Sequence, residues 1–132
     1  MWKSAVLFCQ LMSGRILLID DEPPVLLTYT LILQQHGYEV TAAASTAEAR
    51  SELSAGSFDI VICDLSIDGE RGGFSLLDEA RQRYPRTATF LLTGYASPEQ
   101  SREAEENGIT LLFKPIAVQD LLHALERRRK TA

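Results

Sequence analysis

Four short apolar runs in this chain end in side chains able to do chemistry. Ile16-Leu-Leu-Ile19 runs into Asp20, Asp21 and Glu22, and Ile60-Val-Ile-Cys63 runs into Asp64. Phe90-Leu-Leu92 is followed by Thr93-Gly94, and Leu111-Leu-Phe113 by Lys114-Pro115. Adjacent carboxylates such as Asp20 and Asp21 are suited to a hard divalent cation. Taken singly, each group has an ordinary explanation: acids at a helix N-terminus, a loop acid, a turn hydroxyl, a solvated amine. Three acids, a hydroxyl and an amine in one repeated setting are better explained as one site.

For these groups to meet, the runs must be strands that end at one edge. A continuous apolar run bounded by turn signals reads as a strand buried on both faces. In open parallel α/β sheets the carboxyl ends of the strands gather ligand chemistry. Strands are expected over Arg15–Ile19, Tyr38–Ala43, Asp59–Cys63, Thr87–Leu92 and Thr110–Phe113. A helix should open at Pro24 and stop near Gly37, with Val25, Tyr29, Ile32 and Leu33 on its buried stripe. At 100° per residue, Leu27 and Leu31 fall opposite that stripe as an outward apolar pair. Ser45 or Thr46 can cap a second helix running to Gly56. Gly69, Gly72 and Gly73 mark a loop before a third helix, Phe74–Tyr84. The fourth helix, Pro98–Asn107, is highly polar and should be weakly held. The fifth, Ala117–Arg129, should bury Val118, Leu121, Leu122 and Leu125. Five strands alternating with five helices imply parallel βα units with right-handed crossovers, a three-layer α/β sandwich.

The composition fits one domain. A length of 132 residues, 45% of them hydrophobic and 23% charged, describes a globular chain able to bury a core. A net charge of −5 argues against nucleic acid as the main partner. The basic run Arg127–Lys130 reads instead as cations complementing a helix C-terminus. Cys9 and Cys63 make neither a disulfide framework nor a metal spacing, and a reducing cytoplasm suits them. Cys63 should be a buried small hydrophobe. Residues 1–14 form an extension whose apolar part, Ala5–Met12, is too short to span a membrane. Met12-Ser-Gly14 would itself make a normal beginning for the domain. The extension, if translated, should pack on a domain surface or on a second copy, giving a homodimer.

From Arg15 to Lys130 the chain resembles the receiver domain of two-component response regulators. Arg15-Ile-Leu-Leu-Ile-Asp-Asp-Glu22, Ile62-Cys-Asp64-Leu65, Leu91-Leu-Thr93-Gly-Tyr-Ala96 and Phe113-Lys-Pro115 carry the likeness, in order and at nearly the family's spacings. The resemblance implies a flavodoxin-like fold with strand order 2-1-3-4-5. It implies that Asp64 accepts a phosphoryl group from a histidine kinase or a histidine phosphotransfer protein, as a carboxylate nucleophile. By similarity Mg²⁺ (or Mn²⁺) is held by Asp21 and Asp64 directly, by Asp20 through water, and by the Ser66 backbone carbonyl. Such a cation relieves repulsion among the acids and neutralises the transferring phosphoryl. Lys114 would pair with a phosphoryl oxygen as a point charge, and Thr93 would turn its hydroxyl toward that oxygen afterwards. A cis Lys114–Pro115 bond is also implied.

There are departures. Asp68 stands where the family often has Pro, and the Gly69–Gly73 loop looks one residue longer than usual. Both would reshape the loop and add negative charge near the site. Leu111 replaces the aromatic residue that commonly moves with the threonine. Ser66 and Tyr95 occupy places that tune phosphoaspartate hydrolysis in relatives, and a bulky Tyr95 would shield the bond from water. The leading expectation is therefore a phosphorylation-controlled signalling domain, not an enzyme on outside substrates. Its readout face is expected on the fourth helix, fifth strand and fifth helix, including His123. The alternative is a phosphorylation-independent interaction module that retains an acid pocket.

Overall fold

The computed structural model describes residues 14–69 and 71–131. Five strands, β1 (Gly14–Ile19), β2 (Tyr38–Ala43), β3 (Ile60–Asp64), β4 (Ala88–Thr93) and β5 (Thr110–Phe113), form one parallel sheet of order β2-β1-β3-β4-β5. Between and after them lie α1 (Pro23–Gln35), α2 (Thr46–Ala55), α3 (Gly72–Arg83), α4 (Pro98–Glu106) and α5 (Val118–Thr131). The expected α/β sandwich and strand order are both present. Of the N-terminal extension, residues 1–13 lie outside the described residues, and Gly14 opens β1.

Side-chain alternation divides the core between the two faces. Leu17, Ile19, Val61, Cys63 and Leu91 pack toward α2, α3 and α4 with Leu53, Phe74, Leu76, Leu77 and Ala104. Ile16, Leu18, Ile60, Ile62, Phe90 and Leu92 pack toward α1 and α5 with Leu33, Leu121 and Leu125. Each fully buried Leu or Ile contributes about 1.5–3 kcal/mol. Cys63 is wholly buried, as a small hydrophobe should be. In α1, Leu33 is buried and Leu26, which lies outside the expected stripe, joins Tyr29 against the core. Leu27 and Leu31 do face outward.

Three boundaries differ instructively. Asp64 and Thr93 are the last residues of β3 and β4, because the ladders continue through the Asp64–Leu92 and Thr93–Phe113 pairs. Helix α3 begins at Gly72, two residues before its expected start. A Cβ on Gly72 would lie 1.7 Å from the Ile67 carbonyl oxygen, and one on Gly73 would lie 2.8 Å from that of Asp64. The paired glycines are therefore the first turn of α3, laid directly against the chain that leaves β3.

Candidate functional site

The strand ends do converge. Asp20, Asp21 and Asp64 each offer a carboxylate oxygen, and these oxygens lie within 4.8 Å of one another. Asp20 and Asp64 are buried, while Asp21 is exposed at the rim. Asp20 Oδ1 accepts from the Glu22 backbone N–H at 2.9 Å, which fixes the turn from β1 into α1. From β5, Lys114 Nζ reaches Asp20 Oδ2 at 3.0 Å and Asp64 Oδ1 at 3.4 Å. The Lys114 backbone N–H donates to the Thr93 carbonyl at 2.7 Å, tying the ends of β4 and β5 together. The Lys114–Pro115 peptide is cis.

Burial pushes the Asp64 carboxyl up, against the opposing pull of Lys114, with the Asp20 charge adding to the rise. Burial alone would lower the Lys114 amine. The Asp20 hydrogen bond and the charges of Asp64 and Asp20 outweigh it and hold the amine above the ordinary lysine range. Beneath them, burial and then the charges of Asp64 and Asp20 drive the Cys63 thiol far upward. A thiol so held is protonated and inert.

The donor set fits a hard divalent cation: oxygen ligands only, with Asp21 on a side open to solvent. The Ser66 backbone carbonyl accepts from the Gly69 N–H at 3.2 Å. A carbonyl has two lone pairs, so one remains for a cation. Ser66 Oγ donates to Asp64 Oδ2 at 3.2 Å. Thr93 is at the same edge, but its hydroxyl is committed to its own turn. Its Oγ1 donates to the Tyr95 carbonyl at 2.8 Å and accepts from the Tyr95 N–H at 3.2 Å.

The expected negative charge of Asp68 is placed differently. Its backbone is left-handed, φ 51°, and its carboxylate accepts from both the N–H and the hydroxyl of Thr46 at the start of α2. Those two hydrogen bonds hold its carboxyl below the usual range. Asp68 thus serves as a second N-terminal cap of α2 beside Ser45, and it is not among the clustered acids. On β5, Leu111 is half-buried against the α3 and α4 side of the core, and Phe113 is half-exposed.

Sequence reasoning did not find Arg71. Its guanidinium makes a two-point hydrogen bond to the Glu103 carboxylate on α4 and lies 5.3 Å over the Phe74 ring. The pair bridges the loop after Asp64 to α4, whose start carries a Ser97–Gln100 capping box. Two restraints therefore act on a helix that composition alone marks as loose. Between that loop and α4 lies a groove of about 740 Å³ lined by Ser66, Arg71, Thr93, Tyr95, Gln100 and Glu103 among others. Among the described residues, no helix is long and apolar enough to cross a membrane.

Comparison with known proteins agrees with this geometry. The response regulator receiver domain family model matches residues 16–126. The alginate biosynthesis transcriptional regulatory protein AlgB of Pseudomonas aeruginosa is 33% identical over 125 residues, covering 91% of this chain and 28% of AlgB. The transcriptional regulatory protein GlrR of Escherichia coli is 33% identical over 114 residues, covering 86% of this chain and 26% of GlrR. The chain thus spans about a quarter of the length of these relatives. A crystal structure of a response regulator receiver domain protein from Clostridium thermocellum superposes with a TM-score of 0.81 at 30% identity, covering 89% of this chain and 95% of that one. Sheet order, acid cluster and sequence agree: the chain belongs to the receiver domain family of two-component response regulators.

Proposed function

We propose that Asp64 is the phosphoacceptor of this receiver domain and that the phosphoryl group arrives from a histidine kinase or a histidine phosphotransfer protein. The observation that carries the reading is the meeting of Asp64 with Asp20, Asp21 and Lys114 at one sheet edge. An Asp64 carboxylate oxygen attacks phosphorus as the phosphohistidine P–N bond breaks. The leaving electron pair stays on the imidazole nitrogen, which takes up a proton. Asp20, Asp21, Asp64 and the Ser66 carbonyl would hold Mg²⁺ or Mn²⁺, which supplies charge neutralisation for the transferring group. Lys114 supports one phosphoryl oxygen from the β5 side. The Thr93 hydroxyl leaves its Tyr95 turn to meet another, which carries the change to the loop before α4.

The domain acts on its own carboxylate, Asp64, and not on an outside ester. Its product is a change in partner binding or onward relay in the cytoplasm, with neither nucleic acid nor membrane as direct partner. One observation favours the second reading, a phosphorylation-independent module. Leu111 provides no aromatic ring to follow Thr93.

Beryllofluoride with Mg²⁺ mimics an aspartyl phosphate and tests the assignment. It should raise the melting temperature of wild type and leave Asp64→Ala unchanged. Equal behaviour of the two proteins would transfer the reading to the phosphorylation-independent module.

A further inference from the structure

At the opposite end of the sheet lies a recess of about 340 Å³, bounded by Arg81, Arg86, Arg128, Pro85, Thr89 and Gly108 among others. It opens beside the first residues of β4, whose six residues separate it from the acid site by about 20 Å. Its three arginines come from three places: the last turn of α3, the loop before β4, and α5. Arg128 donates to the Gly108 carbonyl at 2.9 Å. The Arg81 guanidinium reaches the same glycine, 3.5 Å from where its Cβ would stand. Two guanidinium groups thus converge on one residue, and no carboxylate of the described residues lines the recess.

Arg81 and Arg86 form no ion pair among the described residues, although the chain carries 18 acids against 13 Lys and Arg. Neighbouring arginines are occupied: Arg15 pairs with Glu39, Arg83 donates to Ser54 Oγ, and Arg127 and Arg128 have partners of their own. Complementing the α3 dipole accounts for Arg81 and Arg83. The α5 dipole accounts likewise for Arg128, and neither dipole accounts for Arg86 facing the same space.

We propose that this recess is a binding site for a small anion carrying several phosphate groups, held by Arg81, Arg86 and Arg128. Guanidinium forks match phosphate oxygens, and a bound anion would pair the Arg81 and Arg86 charges beside Arg128. Among the described residues no aromatic side chain lines the recess, so none offers a face on which a base can stack. Recognition is of the phosphate chain, whether free or at the end of a nucleotide, and is indifferent to the base. The site is independent of Asp64 and of the function proposed for it.

Calorimetric titration of the whole chain with tripolyphosphate tests this, in EDTA and with sodium sulfate at equal ionic strength as control. Wild type and Asp64→Ala should bind one equivalent alike, and sulfate should bind far more weakly. Exposed Arg86→Ala and the double variant Arg81→Ala/Arg86→Ala should weaken binding, the latter by about tenfold or more. Arg83→Ala, which removes a nearby charge outside the recess, should stay within about twofold of wild type. ATP and GTP should match tripolyphosphate. No binding by wild type, equal losses from Arg83→Ala and Arg86→Ala, or binding of ATP without tripolyphosphate would each overturn the proposal.

Discussion

Lys114 Nζ sits 3.0 Å from Asp20, nearer than its 3.4 Å to Asp64. The lysine that would serve the phosphoryl group therefore rests on a carboxylate of the cation site. Both acids are buried, so Lys114 is what compensates their charge when no cation is bound. Lys114→Met should destabilise the cation-free protein by about 2 kcal/mol. That is less than the about 3–5 for a fully enclosed pair, because Lys114 keeps 20% of its side-chain surface exposed. The same variant should bind Mg²⁺ about five- to tenfold more tightly, a competing cation having been removed. Denaturant melts with and without Mg²⁺ read both effects. Weaker Mg²⁺ binding would show that the lysine organises the acids more than it competes.

Asp68 predicts an acid-side dependence. Its folded pKa is lowered by the Thr46 hydrogen bonds from an ordinary value of 3.8. Its contribution is therefore complete above that value and is lost as pH falls through the lowered folded pKa. Asp68→Asn keeps a residue that tolerates the left-handed backbone but removes the charge. The variant should melt below wild type at pH 6, and the gap should close toward pH 2. Mg²⁺ affinity should be unchanged, since Asp68 faces α2.

Gly72→Ala tests the loop that follows Asp64. A Cβ would strike the Ile67 carbonyl, which is backbone and yields only if the loop moves. The expected cost is about 1–3 kcal/mol, as for other overpacked positions. Because the displaced chain carries Ser66, Mg²⁺ affinity should fall too, by titration at a temperature where the variant is folded.

Tyr95 stands 73% exposed on the groove that Ser66 and Thr93 also line. As a bulky shield against water it should give a long-lived phosphoaspartate. Tyr95→Gly should shorten the half-life about threefold or more, equivalent to about 0.7 kcal/mol of barrier. Decay followed by intact mass after removal of the phosphodonor measures this.

Most of the architecture was legible because hydrophobicity writes parallel strands plainly. Each apolar run is long enough for a two-faced strand, and a polar residue closes each of those that serve the site. The limits of β2 and β5 needed no revision. What escaped depends on contacts remote in sequence. Asp68 and Thr46 are 22 residues apart and meet where Asp68 adopts a left-handed backbone. Arg71 and Glu103 are 32 apart, on a loop and a polar helix with no periodicity to link them. Gly72 and Gly73 read as a loop because glycine is a turn residue. Their part in α3 follows from a steric fit that composition does not encode.

The most direct test of the central claim is intact-mass measurement after incubation with acetyl phosphate and Mg²⁺, wild type beside Asp64→Ala. A single phosphoryl adduct on wild type, absent from the variant and abolished by EDTA, is the predicted result. An adduct on Asp64→Ala of equal yield, or one formed equally in EDTA, would contradict it.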